Sequence, residues 1–147
     1  MVTIGTDENN NKVRTYTNAL GQTVLKQVQM DETLEGVSTP WLETYYIYDQ
    51  LGRLKYIVPP KAMKVLGTGV SLDAKAASVN ELVHIFNYDA LGRLVEKKVP
   101  SAAWQYIVYD KLDRPVLTQD GNLFATKKWR FVKYDIYNRV VYTGIYT

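Results

Sequence analysis

The sequence contains no cysteine and a single histidine, His84, among its 147 residues. The absence of cysteine excludes a disulfide scaffold, a thiolate metal site and a cysteine nucleophile. One histidine is too few for a multi-histidine zinc site. No serine near His84 forms a nucleophile pair with it, so we expect a packing or surface role for this side chain. No stretch reaches the roughly 18 apolar residues of a membrane-spanning helix, and we expect neither a membrane span nor a signal peptide.

The charge balance is only mildly basic, with 18 Lys and Arg against 15 Asp and Glu. A net charge of +3 is a weak argument for nucleic acid. The segment 127–134 interleaves basic and aromatic residues, as binders of single-stranded nucleic acid also do. A strand with one solvated face produces the same alternation, so we predict a strand there and no nucleic-acid partner.

Tyrosine is overrepresented, with 12 Tyr against 3 Phe, and an internal repeat accounts for part of the excess. The sequence Tyr-Asp-Gln-Leu-Gly-Arg-Leu at 48–54 recurs as Tyr-Asp-Ala-Leu-Gly-Arg-Leu at 88–94. Altered copies occupy 109–115 and 134–140, and a worn copy occupies 17–23. The spacing indicates a unit of about 21 to 25 residues, lengthened twice by insertions. We predict repeat turns at 18–22, 49–53, 89–93, 110–114 and 135–139.

The residue types in the repeat are those that a hairpin turn requires. Asp or Asn is favoured at the start of a type I turn, and a residue of positive φ follows the turn in the common three-residue hairpin loop. Gly52 stands at that position, and Asp113 and Asn138 replace glycine in two copies. Asn and Asp best tolerate left-handed backbone among non-glycine residues. We also expect each Asp to accept turn amide hydrogen bonds and to pair with the Arg after the turn.

The segments that flank the turns alternate in period two, with the tyrosines on the apolar face. This pattern predicts half-buried antiparallel strands. The predicted fold is mainly β: one domain over 1–147, formed by a meander of about ten strands in stacked hairpins. Asp120-Gly121-Asn122 and the segment 7–11 are predicted as turns at the opposite edge.

Two segments depart from the repeat. The polar segment 31–40 is predicted to be a long exposed loop. A helical insertion is predicted at 60–82. Pro59 and Pro60 supply a proline for the first helical position of a short helix, which ends before Gly67. A second helix is predicted from about Leu72 to 82, or from Ser78 if the capping-box spacing there sets its start.

Two further patterns in the sequence have features of binding sites, one of a calcium loop and the other of a carbohydrate site. Asp7, Asn9 and Asn11 have the first spacings of a calcium loop, but Lys12 and Asn18 stand where an EF-hand needs Gly and Glu. The repeated Tyr, Asp and Arg side chains would suit a carbohydrate-binding or adhesion module. Because these residues recur at turn positions and do not converge, the scaffold explanation is favoured. We predict no catalytic residue, cofactor or metal, and no enzymatic activity.

Tyr-Asp-x-Leu-Gly-Arg in tandem resembles the YD-repeat, or RHS (rearrangement hotspot), proteins of bacteria, and the segment 41–60 looks like part of a large bacterial surface RHS protein. The resemblance implies a β-strand spiral that winds into a hollow shell around a toxic or variable domain, with related shells in Tc toxins and teneurins. The family's self-cleavage motif has no counterpart here, so that activity is not carried over.

On this resemblance we expect a structural segment located outside the cell or at its surface. Its partners would be other segments of a larger RHS protein or an enclosed polypeptide. About five hairpins are too few for a closed shell, so we also expect open sheet edges that self-associate, or a chain that closes into a small sandwich or partial barrel.

Overall fold

A computed structural model describes residues 1–6, 8, 11–30, 41–67, 72 and 77–147. The chain divides into two compact units, Met1–His84 and Ile85–Thr147. The described residues form eleven strands and three short helices. The prediction of a mainly β fold is confirmed, with one strand more than expected because β1 precedes the first repeat. That the two units form a single domain stays a prediction.

In the first unit, five strands follow one another as an antiparallel meander in which each strand pairs with the next. The strands are β1 (Val2–Thr6), β2 (Lys12–Thr17), β3 (Thr23–Gln29), β4 (Trp41–Tyr48) and β5 (Leu54–Val58).

In the second unit the meander has the same form: β6 begins at the boundary and each later strand pairs with the one before it. The strands are β6 (His84–Tyr88), β7 (Leu94–Lys98), β8 (Gln105–Tyr109), β9 (Pro115–Gln119), β10 (Trp129–Tyr134) and β11 (Val140–Tyr146).

A register shift precedes every repeat turn. In each hairpin it falls between the last two residues of the incoming strand, which are Tyr16/Thr17, Ile47/Tyr48, Asn87/Tyr88, Val108/Tyr109 and Lys133/Tyr134. A three-residue loop closed by a left-handed residue leaves such a bulge. The five hairpins therefore share one turn geometry, as the repeat predicts.

The helical insertion lies in the first unit. Helix α1 spans Pro60–Leu66 and ends at Gly67, whose φ is 73°, as predicted. Helix α2 spans Ala77–Leu82, so its start agrees with the alternative near Ser78 and not with Leu72. None of the helices in the described part of the chain is long and apolar enough to span a membrane. The loop predicted at 31–40 lies outside the described residues.

Three of the four almost completely buried apolar side chains in the described part of the first unit lie in the two helices or directly after α2. Val58, Ala62, Val79 and Val83 are almost completely buried, whereas most strand residues are only half-buried. Helix α1 contacts both α2 and β4. A short amphipathic insertion thus covers part of a sheet that otherwise has few fully buried side chains.

The turn predicted at Asp120-Gly121-Asn122 is wrong in one respect, because a helix, α3 (Gly121–Ala125), starts there. The Asp120 carboxylate accepts hydrogen bonds from the backbone N of Asn122 and of Leu123, both at 3.0 Å. The side-chain oxygen of Asp satisfies backbone amides equally well in a turn and at a helix N-cap, so the two are hard to separate in sequence. Of the turn predicted at 7–11, residues 7, 9 and 10 lie outside the described part.

Candidate functional site: the turn ladder

The recurring residues lie at the hairpin turns, and within each unit these turns lie side by side at the same end of the strands. We call the five turns the turn ladder: 18–22 and 49–53 in the first unit, and 89–93, 110–114 and 135–139 in the second.

Each turn is organised around its first side chain. Asp49 Oδ1 accepts hydrogen bonds from the backbone N of Leu51 and of Arg53, both at 2.9 Å. Asp49 Oδ2 accepts from Nε of Arg53 at 2.7 Å. The same three contacts recur around Asp89, Asp110 and Asp135. The predicted pairing of each Asp with the Arg after its turn is confirmed.

The left-handed position of the turn is confirmed in all five copies. Its φ angle is 77° at Gly21, 76° at Gly52, 82° at Gly92, 60° at Asp113 and 63° at Asn138. The two copies without glycine therefore keep the same backbone conformation, through residues that tolerate it best.

The turn hydrogen bonds favour the ionised carboxylates. The pKa of Asp49, Asp89 and Asp135 is lowered, chiefly by the backbone N–H of the following Arg and further by its side chain. For Asp110 the largest influence is desolvation, which raises the pKa. The hydrogen bonds from Arg114 and Leu112 outweigh it, so this pKa is also lowered.

The worn first copy keeps the geometry with neutral side chains. Asn18 Oδ1 accepts from the backbone N of Leu20 and of Gln22, both at 3.0 Å. Asn18 Nδ2 donates to Gln22 Oε1 at 2.8 Å, where the other copies have an ion pair. Gln22 Nε2 also donates to the carbonyl of Gly52 in the next turn, at 2.7 Å.

The repeat tyrosines connect successive hairpins. In three of them the hydroxyl donates to the carbonyl of the first residue after the preceding turn: Tyr48 to Thr23 at 2.8 Å, Tyr109 to Leu94 at 2.9 Å and Tyr134 to Pro115 at 2.9 Å. The preference for Tyr over Phe at these positions thus has a structural cause, since Phe has no donor for that carbonyl.

In the second unit the arginines form a second connection between repeats. The Arg93 guanidinium lies 5.0 Å from the ring centroid of Tyr109, and Nη1 donates to Asp113 Oδ1 at 2.6 Å. Arg114 repeats this arrangement with Tyr134, at 4.7 Å, and with Asn138 Oδ1, at 2.8 Å. Each of these arginines therefore contacts its own Asp and the ring and turn oxygen of the next repeat.

Sequence reasoning missed this second connection because it paired each Arg only within its own turn. The signal was present at Asp113 and Asn138, which carry a side-chain oxygen where other copies have glycine. Tolerance of positive φ alone accounts for these residue types, so the local pattern does not identify the oxygen as an acceptor.

His84 begins β6, and partial burial lowers its pKa. The segment 127–134 contains β10, as predicted. Asp7 and Asn9 of the calcium-like spacing lie outside the described part, and within it no group of three or more acidic or histidine side chains could hold a metal ion.

An open hollow of about 760 Å³ lies over β9, β10 and β11 in the second unit. Its lining is largely apolar and aromatic, including Leu117, Phe131, Val132 and Tyr146. A smaller hollow of about 260 Å³ is lined by more polar side chains, among them Gln105 and Arg130.

Solved structures resemble this chain over most of its length. The crystal structure of TcdB2-TccC3 has a TM-score of 0.72 at 17% identity and covers 99% of this chain. The form without the hypervariable C-terminal region has a TM-score of 0.71 at 16% identity, also over 99%. The Tc holotoxin pore of Photorhabdus luminescens has a TM-score of 0.66 at 17% identity over 97%. No protein-family model and no curated protein sequence matches the chain.

The fold is similar to that of a segment of these toxin chains. The expectation of an RHS-like fold is confirmed, because these likenesses extend over nearly all of the chain. The chain spans only 6–7% of the length of the toxin chains that it resembles.

Proposed function

We propose that the chain is a non-catalytic structural segment of a bacterial RHS-repeat shell, which encloses or presents a toxin or another polypeptide. The observation that carries the proposal is the connection between repeats in the turn ladder. Arg93 and Arg114 each contact the following repeat through a ring and a turn oxygen. A contact that recurs from one hairpin to the next stabilises a repeating sheet, whereas a catalytic site is assembled once from converging residues.

The two outer strands support the same function. All residues of β1 and nearly all of β11 are exposed, and neither strand contains a charged residue or a proline. Proteins whose sheets end in solvent usually protect such edges with lysine, proline or a covering element. Uncharged edges rich in β-branched residues are typical of strands that are paired by further chain, so other segments of a larger RHS protein are the proposed partners.

The hollow over β9, β10 and β11 is the proposed contact surface for an enclosed polypeptide. Phe131, Val132 and Tyr146 present apolar surface there, and such a surface accommodates many sequences without fixed polar contacts. We further propose that the shell functions outside the cell or at its surface, as the RHS resemblance implies.

The size of the native polypeptide tests this function. An antibody raised against the chain would be used to isolate the protein from its source cells, followed by mass spectrometry and electron microscopy. We expect a polypeptide many times the 16.8 kDa of this chain, forming a hollow particle. A native polypeptide of 16.8 kDa with no larger partner would contradict the proposal.

A carbohydrate-binding module is the second candidate, favoured by one aromatic cluster. The ring centroid of Tyr106 lies 6.2 Å from that of Phe124 and 6.5 Å from that of Trp129, and Phe124 is 60% exposed. The smaller hollow lies beside this cluster and shares Tyr106. Exposed aromatic rings next to polar side chains suit sugar binding.

A glycan array tests this candidate. Saturable binding that is lost in Phe124→Ala and retained in the control Tyr142→Ala, on β11, would support it. Absence of binding to any glycan, or equal binding by both variants, would contradict it.

A further inference from the structure

We propose that the outer edge of β11, together with Arg139, is a docking edge for one more hairpin that carries a Tyr-Asp turn. The inference rests on the proposed function and specifies which chemistry the neighbouring segment must bring. The occupant is defined by a tyrosine ring, its hydroxyl and a turn oxygen, placed as they are in the fourth and fifth repeats of this chain.

Arg139 is the next member of the Arg93 and Arg114 series. Its Nε pairs with Asp135 Oδ2 at 2.7 Å, as in the earlier copies, so its side chain starts in the same direction. The Arg139 side chain is 74% exposed, against 24% for Arg93 and 23% for Arg114. Within the described part of the chain, no aromatic ring or turn oxygen of another repeat contacts Arg139. Its guanidinium lies 5.3 Å from the ring of Tyr137 in its own turn.

The strand beside Arg139 is equally open. In the described residues β11 pairs with β10 alone. Val140, Tyr142 and Tyr146 are more than half exposed. Val140 is the first residue after the turn, in the position whose carbonyl accepts the tyrosine hydroxyl in the earlier repeats at Leu94 and Pro115.

An incoming antiparallel strand would restore every missing contact at once. Its backbone would pair with the free edge of β11, its tyrosine would lie under Arg139 and donate to the Val140 carbonyl, and its turn oxygen would accept from the Arg139 guanidinium. The arrangement follows from the two contacts already present in the second unit. Arg93 and Arg114 each contact the repeat that follows their own turn, and Arg139 is the next arginine in this series.

A second copy of this chain meets the requirement less well. Its β1 is also exposed, but β1 reads Val-Thr-Ile-Gly-Thr and supplies neither tyrosine nor aspartate. Pairing with β1 of a second copy would cover the backbone edge and leave Arg139 without a ring.

The test lengthens the full chain by one hairpin. A second copy of residues 120–147 is joined to Thr147, which adds the natural connection, a strand that ends in Tyr-Asp, its turn and a final strand. Arg139→Ala is then made in the original and the lengthened chains, with Arg114→Ala as the matched control in both.

In the lengthened chain we expect slower amide exchange along β11. Arg114→Ala should lower the melting temperature by about 3 °C at either length. Arg139→Ala should lower it by less than about 1 °C in the original chain, since an exposed ion pair contributes little, and by about 3 °C in the lengthened one. In the added hairpin, replacing the tyrosine that corresponds to Tyr134 by Phe should remove part of the difference between the two lengths in the effect of Arg139→Ala.

Three results would overturn the inference. One is slowed amide exchange of β11 together with the same change in melting temperature for Arg139→Ala at both lengths. The hairpin would then dock without the arginine, and the shell function would be unaffected. Another is unchanged exchange of β11 in the lengthened chain. The third is concentration-dependent protection of β11 in the original chain, which would identify a second copy as the occupant. Failure of the proposed function itself is read separately, from the mass of the native polypeptide.

Discussion

The Arg114 guanidinium lies 4.7 Å from the ring centroid of Tyr134, 20 residues further along the chain. The same guanidinium pairs with Asp110 and donates to Asn138 in the next turn. One side chain therefore connects two repeats. The hydroxyl of Tyr134 adds a further connection, because it donates a hydrogen bond to the carbonyl of Pro115. The stability of the second unit should therefore depend on these contacts.

Substitution at Gly52 tests the left-handed turn position. Gly52→Val should reduce the free energy of unfolding by about 1 kcal/mol or more, because a β-branched residue resists a φ of 76°. Gly52→Asn is the matched control and should have a much smaller effect, since Asn138 occupies the same position in the last repeat. Urea unfolding measures both, and equal midpoints for Gly52→Val and the parent chain would refute the turn assignment.

The tyrosine hydroxyls can be tested one at a time. Tyr109→Phe removes the donor to the Leu94 carbonyl and should cost about 1 kcal/mol of unfolding free energy. Tyr142→Phe is the control, because that exposed side chain should tolerate the change within about 0.5 kcal/mol. Equal losses in the two variants would mean that the hydrogen bond between repeats contributes nothing specific.

The turn carboxylates predict a loss of stability in acid. Their pKa values are lower in the folded chain, so at low pH the unfolded chain binds more protons. The stabilisation is complete above the ordinary Asp pKa of 3.8 and is lost as the pH falls through the lowered values. Asp49→Asn should flatten this dependence while retaining the turn, because Asn18 accepts the same backbone amides. Urea midpoints from about pH 5 downward measure the effect, and an identical pH dependence in the two proteins would contradict it.

The start of α3 has no room for a side chain. A Cβ at Gly121 would lie 2.5 Å from the Cβ of Ala103, closer than van der Waals contact allows. Gly121→Ala should therefore lower the unfolding free energy by about 1–2 kcal/mol. Adding Ala103→Gly should restore part of the loss, and thermal melting of the single and double variants would measure it. A double variant less stable than Gly121→Ala alone would argue against this contact.

The repeating part of the fold follows from the amino-acid sequence. Period-two alternation and the Asp-x-Leu-Gly-Arg spacing specify strands, turns and the left-handed residue locally, because a hairpin closes over a few residues and needs particular residue types. Even the exceptions at Asp113 and Asn138 follow from backbone sterics. Helix α1 was predictable for the same reason, from Pro60 and Gly67 at its ends.

The contacts that connect one repeat to the next follow from strand pairing and are not contained in the local pattern. The partners of Arg93 and Arg114 lie about one repeat away in sequence, and their distance depends on how strands pair across the sheet. The helix at Gly121 was likewise beyond the sequence pattern, because Asp120 satisfies the same amides in a turn and at an N-cap. The exposure of Arg139 depends on which strand lies beside β11, a long-range fact that no local pattern contains.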